Sequence, residues 1–210
     1  EGATVNDAIV TIVGGALRKY LEAKRELPSD SLIAMAPISV RPQDQQKAAG
    51  NLVSGMMVAI RTDIADPLAR LHAVYEATKS SKELTNAIGA KTLSDYSNFL
   101  PSTLSGLAAR LYSSLGIANR ISPFLNTVIT NVPGPQIPLY MTGAKLVANF
   151  GTGPILDGMG LIHPVFSYNG GITISFTSCR DMIPDPDFYA QCIQDSFEEL
   201  REATGGAPKA

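Results

Sequence analysis

The chain is poor in the residues that most often carry chemistry. It has no tryptophan, two cysteines and two histidines among 210 residues. Cys179 and Cys192 form neither a CxxC pair nor a disulfide framework, so a reducing compartment is the default reading, with a secreted protein carrying one buried bridge as its alternative. His72 and His163 lie far apart with no carboxylates at ligand spacing, which gives no metal signature. No G-x-S-x-G elbow is present, and no Ser-His-Asp set can be read from spacing. No apolar run approaches the roughly 18 to 20 residues of a spanning helix. Basic charge is not in excess: 17 Lys and Arg stand against 19 Asp and Glu, a net charge of −2. A nucleic-acid binder would need a basic face. The chain starts at Glu1 without a signal-peptide pattern and reads as a piece of something longer.

What is present is enough for one good core, or at most two small ones. Apolar residues make up 45%, ordinary for a globular domain. Val5, Ile9, Ile12, Val13, Ala16, Leu17, Tyr20 and Leu21 follow helical spacing, with Thr4 as N-cap and the polar run at 28–30 as terminator. Gly14 and Gly15 sit inside this helix, each at a cost of about 1 kcal/mol against Ala, so something packs close to that face. Strands are predicted over 33–40 and 52–62, with a polar loop at 43–50. Asp66-Pro67 opens a helix towards Thr85, with Leu68, Leu71, Tyr75 and Ala77 inward. Pro101 opens another, striped by Leu104, Leu107, Leu111 and Leu115.

The last third reads as mostly β. Strands are predicted over 125–131, 145–150, 162–168 and 172–178, with a turn at Gly143 and a hairpin at Asn169-Gly170-Gly171. A final helix starts at Asp185-Pro186, with Tyr189, Ile193, Phe197 and Leu200 as its stripe and Glu198, Glu199, Arg201 and Glu202 as its wet face. The order predicts an α/β fold with a mixed β-sheet packed with helices. Residues 1–204 form one domain, and 205–210 a disordered tail by composition.

Several motifs carry a plain and a sharper reading. Thr4 and Asp7 fit a capping box, and Asp7 suits the positive end of the helix dipole; Asn6 and Asp7 can also project towards a neighbouring site. His72, four residues before Glu76, reads as packed on an apolar helix face. His163, just before Pro164, reads as structural, with an isolated general base as its rival. The cysteines fall in elements expected to be buried, where thiols are inert. Residues 151–158 are glycine-rich but lack the ending of a P-loop and the context of a dinucleotide fingerprint. A flexible loop is the plain reading, and a wall of a substrate channel that a ligand can approach closely is the sharper one.

The most informative run is Val128-Ile129-Thr130-Asn131-Val132-Pro133-Gly134-Pro135, with Pro138-Leu139-Tyr140 behind it. Two prolines fix φ and remove two donors, while Gly134 allows φ > 0. From the residues alone this is a stiff strand connection, of the kind that often lines a site.

Asn131 to Pro135 resembles the NVPGP signature of the bacterial wax ester synthase/diacylglycerol acyltransferase family. Thr4-Val5-Asn6-Asp7-Ala8 resembles its Asn-Asp motif at the head of a helix. Ala36-Pro37-Ile38-Ser39-Val40-Arg41 resembles its Pro-x-Ser-x-Arg strand end, followed by Asn51-Leu52. The resemblance runs from Ala3 to about Thr204. It implies one half of a chloramphenicol-acetyltransferase-like acyltransferase, with a tunnel between two α/β halves. The acyl group would pass from acyl-CoA, a co-substrate with no further cofactor, to a fatty alcohol or a diacylglycerol, giving wax esters and triacylglycerol. A histidine of an HHxxxDG motif would act as base. That motif is absent here, so the chain reads as the C-terminal half, inactive alone and partnered by the N-terminal half.

On the same resemblance Asn6 and Asp7 support catalysis, and Asn131, Pro133, Gly134 and Pro135 shape the substrate tunnel or the CoA entrance. Lipid substrates imply peripheral contact with the inner face of a membrane or with lipid inclusions. The rival reading is a non-catalytic binding or assembly module on the same half-fold. A catalyst acting alone through His163 is a third.

Overall fold

The computed structural model describes residues 2–39, 53–88 and 125–206. The loop expected at 43–50, the helix expected from Pro101, and Val40, Arg41, Asn51 and Leu52 lie outside the described residues.

The described elements are α1 (Val5–Lys24), β1 (Ile33–Ser39), β2 (Val53–Ala59), α2 (Pro67–Ile88), β3 (Thr127–Pro133), β4 (Tyr140–Met141), β5 (Ala144–Lys145), β6 (Leu161–Tyr168), β7 (Gly171–Ile174), β8 (Thr177–Ser178) and α3 (Pro186–Ala203). A six-stranded sheet runs β2-β1-β3-β6-β7, with β8 also on β6, and β4-β5 form a separate two-stranded ribbon. β3 and β6 are parallel, while β6 pairs antiparallel with β7 and β8. The sheet is mixed, as the α/β expectation requires.

The chain divides into two units, one of Glu1–Ala34, Met57–Lys82 and Arg180–Ala210, the other of Met35–Met56 and Glu83–Cys179.

In the first unit α1 is not the one-sided helix its spacing predicts. Every residue from Ile9 to Leu17 is buried, which marks a helix enclosed on all sides. Val5, expected on the apolar stripe, is 59% exposed. The glycine pair explains the close packing. A Cβ on Gly14 would lie 2.1 Å from the Ile60 carbonyl oxygen, and one on Gly15 would lie 2.2 Å from both an Arg70 guanidinium nitrogen and Ser196 Oγ. The Arg70 guanidinium is itself buried and donates to the carbonyls of Ile64 (2.9 Å) and Ala65 (2.7 Å).

α1 and α3 both end in Schellman geometry. In α1, Arg25 takes φ 60, with Arg25 N–H donating to Glu22 O and Glu26 N–H to Leu21 O. In α3, Gly205 takes φ 76, with bonds from Gly205 to Glu202 O and from Gly206 to Arg201 O. Gly205 and Gly206 therefore close the helix and do not belong to a loose tail.

α3 meets α1 through Tyr20. Its ring stands edge-on to Tyr189, with centroids 5.4 Å apart, and its hydroxyl donates to Asp185. Asp185 occupies the expected N-cap position but makes no side-chain cap bond; its carboxylate serves Tyr20 and Lys24 instead. Those two contacts, Lys24 first, hold its pKa below the usual carboxylate range. The buried face of α3 is Tyr189, Cys192, Ser196 and Leu200, and Phe197, expected inward, is exposed. Glu199 pairs with Lys19 and Glu198 with Arg201. On α2 the buried line is Arg70, Leu71, Val74 and Thr78. Leu68, Tyr75 and Ala77 are half-buried, and His72 is exposed and not packed inward.

In the second unit the strand expected over 172–178 is broken into β7 and β8. Pairing keeps one register on both sides of the break, which falls opposite His163 and Pro164. Pro164 has no N–H to give, though its carbonyl still accepts from Ser175 N–H at 2.9 Å. The hairpin falls where expected, with Asn169 and Gly170 at φ 46 and 83, the two-residue turn that matches strand twist. The strand expected over 145–150 pairs only at Ala144–Lys145, where Thr142-Gly143 turns the β4–β5 ribbon.

Candidate functional site

The predicted site residues form two local clusters, one in each unit. The first is the head of α1. Asp7 is 1% exposed. Its Oδ2 accepts from Thr4 N–H at 2.8 Å and from the Thr4 hydroxyl at 2.7 Å, while Asp7 N–H reaches Thr4 Oγ1 at 3.3 Å. This is the reciprocal capping box read from the sequence. Thr11 Oγ1 adds a bond to the Asp7 carbonyl at 2.7 Å. The other carboxylate oxygen, Oδ1, is buried and has no hydrogen-bond partner among the described residues. Asn6 differs. It is half-buried, and its side-chain amide makes none of the hydrogen bonds found among the described residues. Asp7 is therefore locked and holds the helix start still, while the Asn6 amide spends none of its donors or its acceptor on the described residues.

The second cluster is the proline corner. β3 pairs with β6 as far as Pro133 opposite Ser167, with Asn131 opposite Val165. Asn131 is exposed on the strand. The corner is then stapled to the end of β6 and its turn. Gly134 N–H donates to Ser167 Oγ at 3.2 Å, and Asn169 N–H to Pro135 O at 3.1 Å. The Gln136 amide donates to Gly134 O at 3.0 Å and accepts from Gly170 N–H at 3.0 Å. Gly134 does not take the positive φ that glycine permits. Glycine is required for another reason: a Cβ there would meet the Ser167 carbonyl oxygen at 2.2 Å. Tyr168 fixes the chain beyond the corner, its hydroxyl accepting from Leu139 N–H (2.7 Å) and donating to Leu146 O (3.1 Å).

Gln136, Ser167 and Tyr168 are the residues that sequence reasoning missed. The one available signal was their position, just past the signature and at the end of the strand before the hairpin. In the glycine-rich run Gly151 and Gly153 pack against this sheet, while Thr152 and residues 154–158 are exposed. Gly151 is buried, and a Cβ there would lie 2.3 Å from the Phe166 ring; one on Gly153 would lie 2.7 Å from Ile162.

His163 is fully buried on β6 opposite Ile129, four positions before Ser167 at the corner, with Nδ1 3.0 Å from Thr127 Oγ1. Burial pushes its pKa down to about 3, against a smaller opposing effect of its backbone bond with Val128. Its imidazole is enclosed by the described residues. Cys192 is buried with its thiol pKa raised, first by desolvation, and Cys179 is half-buried. Both are free thiols. No group of three or more potential metal ligands occurs among the described residues. No helix among them is long and apolar enough to cross a membrane.

The family model described as the WS/DGAT C-terminal domain matches residues 49–201. A Mycobacterium tuberculosis (strain CDC 1551 / Oshkosh) protein bearing the name diacylglycerol O-acyltransferase is 33% identical over 208 residues, covering 99% of this chain and 41% of that protein. Another of that name from M. tuberculosis (strain ATCC 25618 / H37Rv) is 31% identical, covering 97% and 44%. Among solved structures, the wax ester synthase/diacylglycerol acyltransferase from Marinobacter aquaeolei VT8 superposes with a TM-score of 0.76 at 25% identity, over 97% of this chain and 44% of that one. The chain spans less than half the length of the relatives it matches.

Proposed function

The chain belongs to the wax ester synthase/diacylglycerol acyltransferase family, as its C-terminal domain, and from that premise we propose that it is the C-terminal half of a long-chain acyl-CoA:alcohol or diacylglycerol O-acyltransferase. In this reading the preceding half supplies an HHxxxDG base. The base takes the proton of the alcohol, the oxygen attacks the thioester carbonyl, and the C–S bond breaks. The products are an ester and CoA, whose thiolate takes up a proton. Acyl-CoA is a co-substrate, and no other cofactor enters.

The observation that carries this reading over a self-sufficient catalyst is the state of His163. Its imidazole is fully buried and in contact with Thr127 Oγ1, which favours a base supplied by the preceding half. Asn6 is the group this half offers to the reacting centre, as a hydrogen-bonding partner of the substrate or of the base. Asp7 fixes the helix start that carries it. The corner at Asn131, Pro133, Gly134 and Pro135 is a rigid wall of the substrate tunnel or the CoA entrance. We place the protein in the cytoplasm, with peripheral contact at the inner membrane face or lipid inclusions.

Release of free CoA thiol from palmitoyl-CoA and a long-chain alcohol tests the proposal. Turnover is expected only when the preceding half is present. Turnover by the 210-residue chain alone would sink it. Silence in both, with folded protein, would favour the assembly-module reading, which the exposed apolar residues beyond the corner also suit.

A further inference from the structure

The hairpin that staples the proline corner is closed by Asn169-Gly170, the one Asn-Gly pair in the chain. That pair carries a chemistry of its own. The Gly170 backbone nitrogen can attack Cγ of the Asn169 side chain and close a succinimide ring, because glycine has no Cβ to hinder the approach. The bond from Cγ to the side-chain nitrogen breaks, and ammonia leaves with the proton of Gly170 N–H. Water then opens the ring at either carbonyl, which leaves aspartate or isoaspartate. The sequence of steps needs water and nothing else. Asn169 and Gly170 are both exposed, so water reaches them.

The fold holds this nitrogen back. Asn169 and Gly170 take φ 46 and 83, the left-handed pair of a two-residue turn, and the ladder resumes at once with Tyr168 opposite Gly171. Gly170 N–H donates to the Gln136 side-chain oxygen at 3.0 Å. A bond to the protonated nitrogen disfavours loss of that proton, and it ties the peptide plane that ring closure must turn. Gln136 is placed in its turn by its amide, which donates to Gly134 O at 3.0 Å and to Ser167 Oγ at 3.3 Å.

We propose that Asn169 is a site of spontaneous deamidation, that Gln136 sets its rate in the folded protein, and that conversion undoes the corner. Isoaspartate routes the main chain through Cβ and lengthens the turn. The Asn169 N–H bond to Pro135 O, 3.1 Å long, and the Gly170 bond to Gln136 are then lost. Either product also adds a negative charge where residues 131–140 and 164–175 carry no charged side chain.

The test is timed incubation of the full-length protein, with its preceding half, at mildly alkaline pH. Peptide mass spectrometry follows the amide-to-acid mass rise at residue 169 and separates isoaspartate from aspartate. Folded parent should convert more slowly than the same chain held unfolded in urea. Gln136→Met keeps the side-chain length at an exposed position but has no oxygen acceptor. It should convert about fivefold faster than folded parent, the factor one ordinary hydrogen bond is worth. Ser167→Ala loosens the corner and leaves the Gln136 oxygen on Gly170, so it should convert at the parental rate. In converted protein the Gly134 and Gly170 amides should exchange faster while α1 amides stay protected. Parent converting as fast as the unfolded chain would overturn the inference, as would equal rates in parent and Gln136→Met. Equal acceleration in Ser167→Ala would assign the effect to loosening of the corner and overturn the role of Gln136. Aspartate without isoaspartate would overturn the ring route, and unchanged exchange in converted protein would overturn the loss of the corner.

Discussion

Asn6 and Asp7 are neighbours with opposite duties, and single substitutions separate them. Asp7→Ala removes the capping box and should cost about 1–2 kcal/mol of stability, seen as a lower melting temperature. Asn6→Ala removes an amide that bonds nothing described. It should leave melting unchanged while lowering kcat/KM of the assembled enzyme on the order of 100-fold, the usual effect of losing one hydrogen-bond donor at a reacting centre. Normal turnover in a folded Asn6→Ala protein would remove Asn6 from the site. His163 makes a different prediction. Its folded pKa lies near 3, below its unfolded value. Between about pH 6.5 and 3 the unfolded chain therefore binds a proton that the folded one refuses. This contribution is full above pH 6.5 and is lost on acidification, with a slope of up to about 1.4 kcal/mol per pH unit. A urea-unfolding series on His163→Gln should show a flatter acid limb than the parent; equal limbs would refute it.

Helices and strands show which parts of the sequence could be read directly. The capping box, the glycine pair against a close neighbour and the Asn169-Gly170 turn were all readable, because each is a local rule obeyed locally. Burial was not readable to the same degree. Helical spacing placed Phe197 inward, but the tertiary partner of α3 selects the adjacent line through Cys192 and Ser196. Gly134 was readable as a special position for the wrong reason, since its constraint comes from a carbonyl 33 residues away in sequence. Two element-scale predictions follow from geometry. Gly14→Ala puts a methyl group against the Ile60 carbonyl, whose backbone cannot yield cheaply, and should cost roughly 2–3 kcal/mol in denaturant titration. Arg25→Gly relieves a left-handed arginine in the α1 Schellman turn and should raise stability by about 0.5–1 kcal/mol. A fall in stability would mean that the arginine side chain contributes more than its backbone costs.

At the scale of the molecule, charge predicts how any lipid contact behaves. With a net charge of −2 and one lysine among the exposed apolar residues beyond the corner, binding to anionic vesicles should change less than about twofold between roughly 0.05 and 0.3 M salt. A steep fall with salt would reveal a basic surface that the sequence balance hides. The candidate site was legible only through resemblance. Asn6, Asp7 and the corner residues are not ionisable groups at catalytic spacing, and nothing in their chemistry alone points to ester formation.

The order of synthesis adds a burden. The first unit is assembled from three separated segments, with α1 at one end and α3 at the other. α1, buried all round over residues 9–17, leaves the ribosome long before its tyrosine-bearing partner helix. Translation at roughly 5–20 residues per second leaves it waiting for about ten to thirty seconds. During that interval Ile60 and Arg70 can already meet the glycine pair, but Ser196 and Tyr189 arrive last, so the face of α1 that packs on α3 stays uncovered until the end of the chain is made.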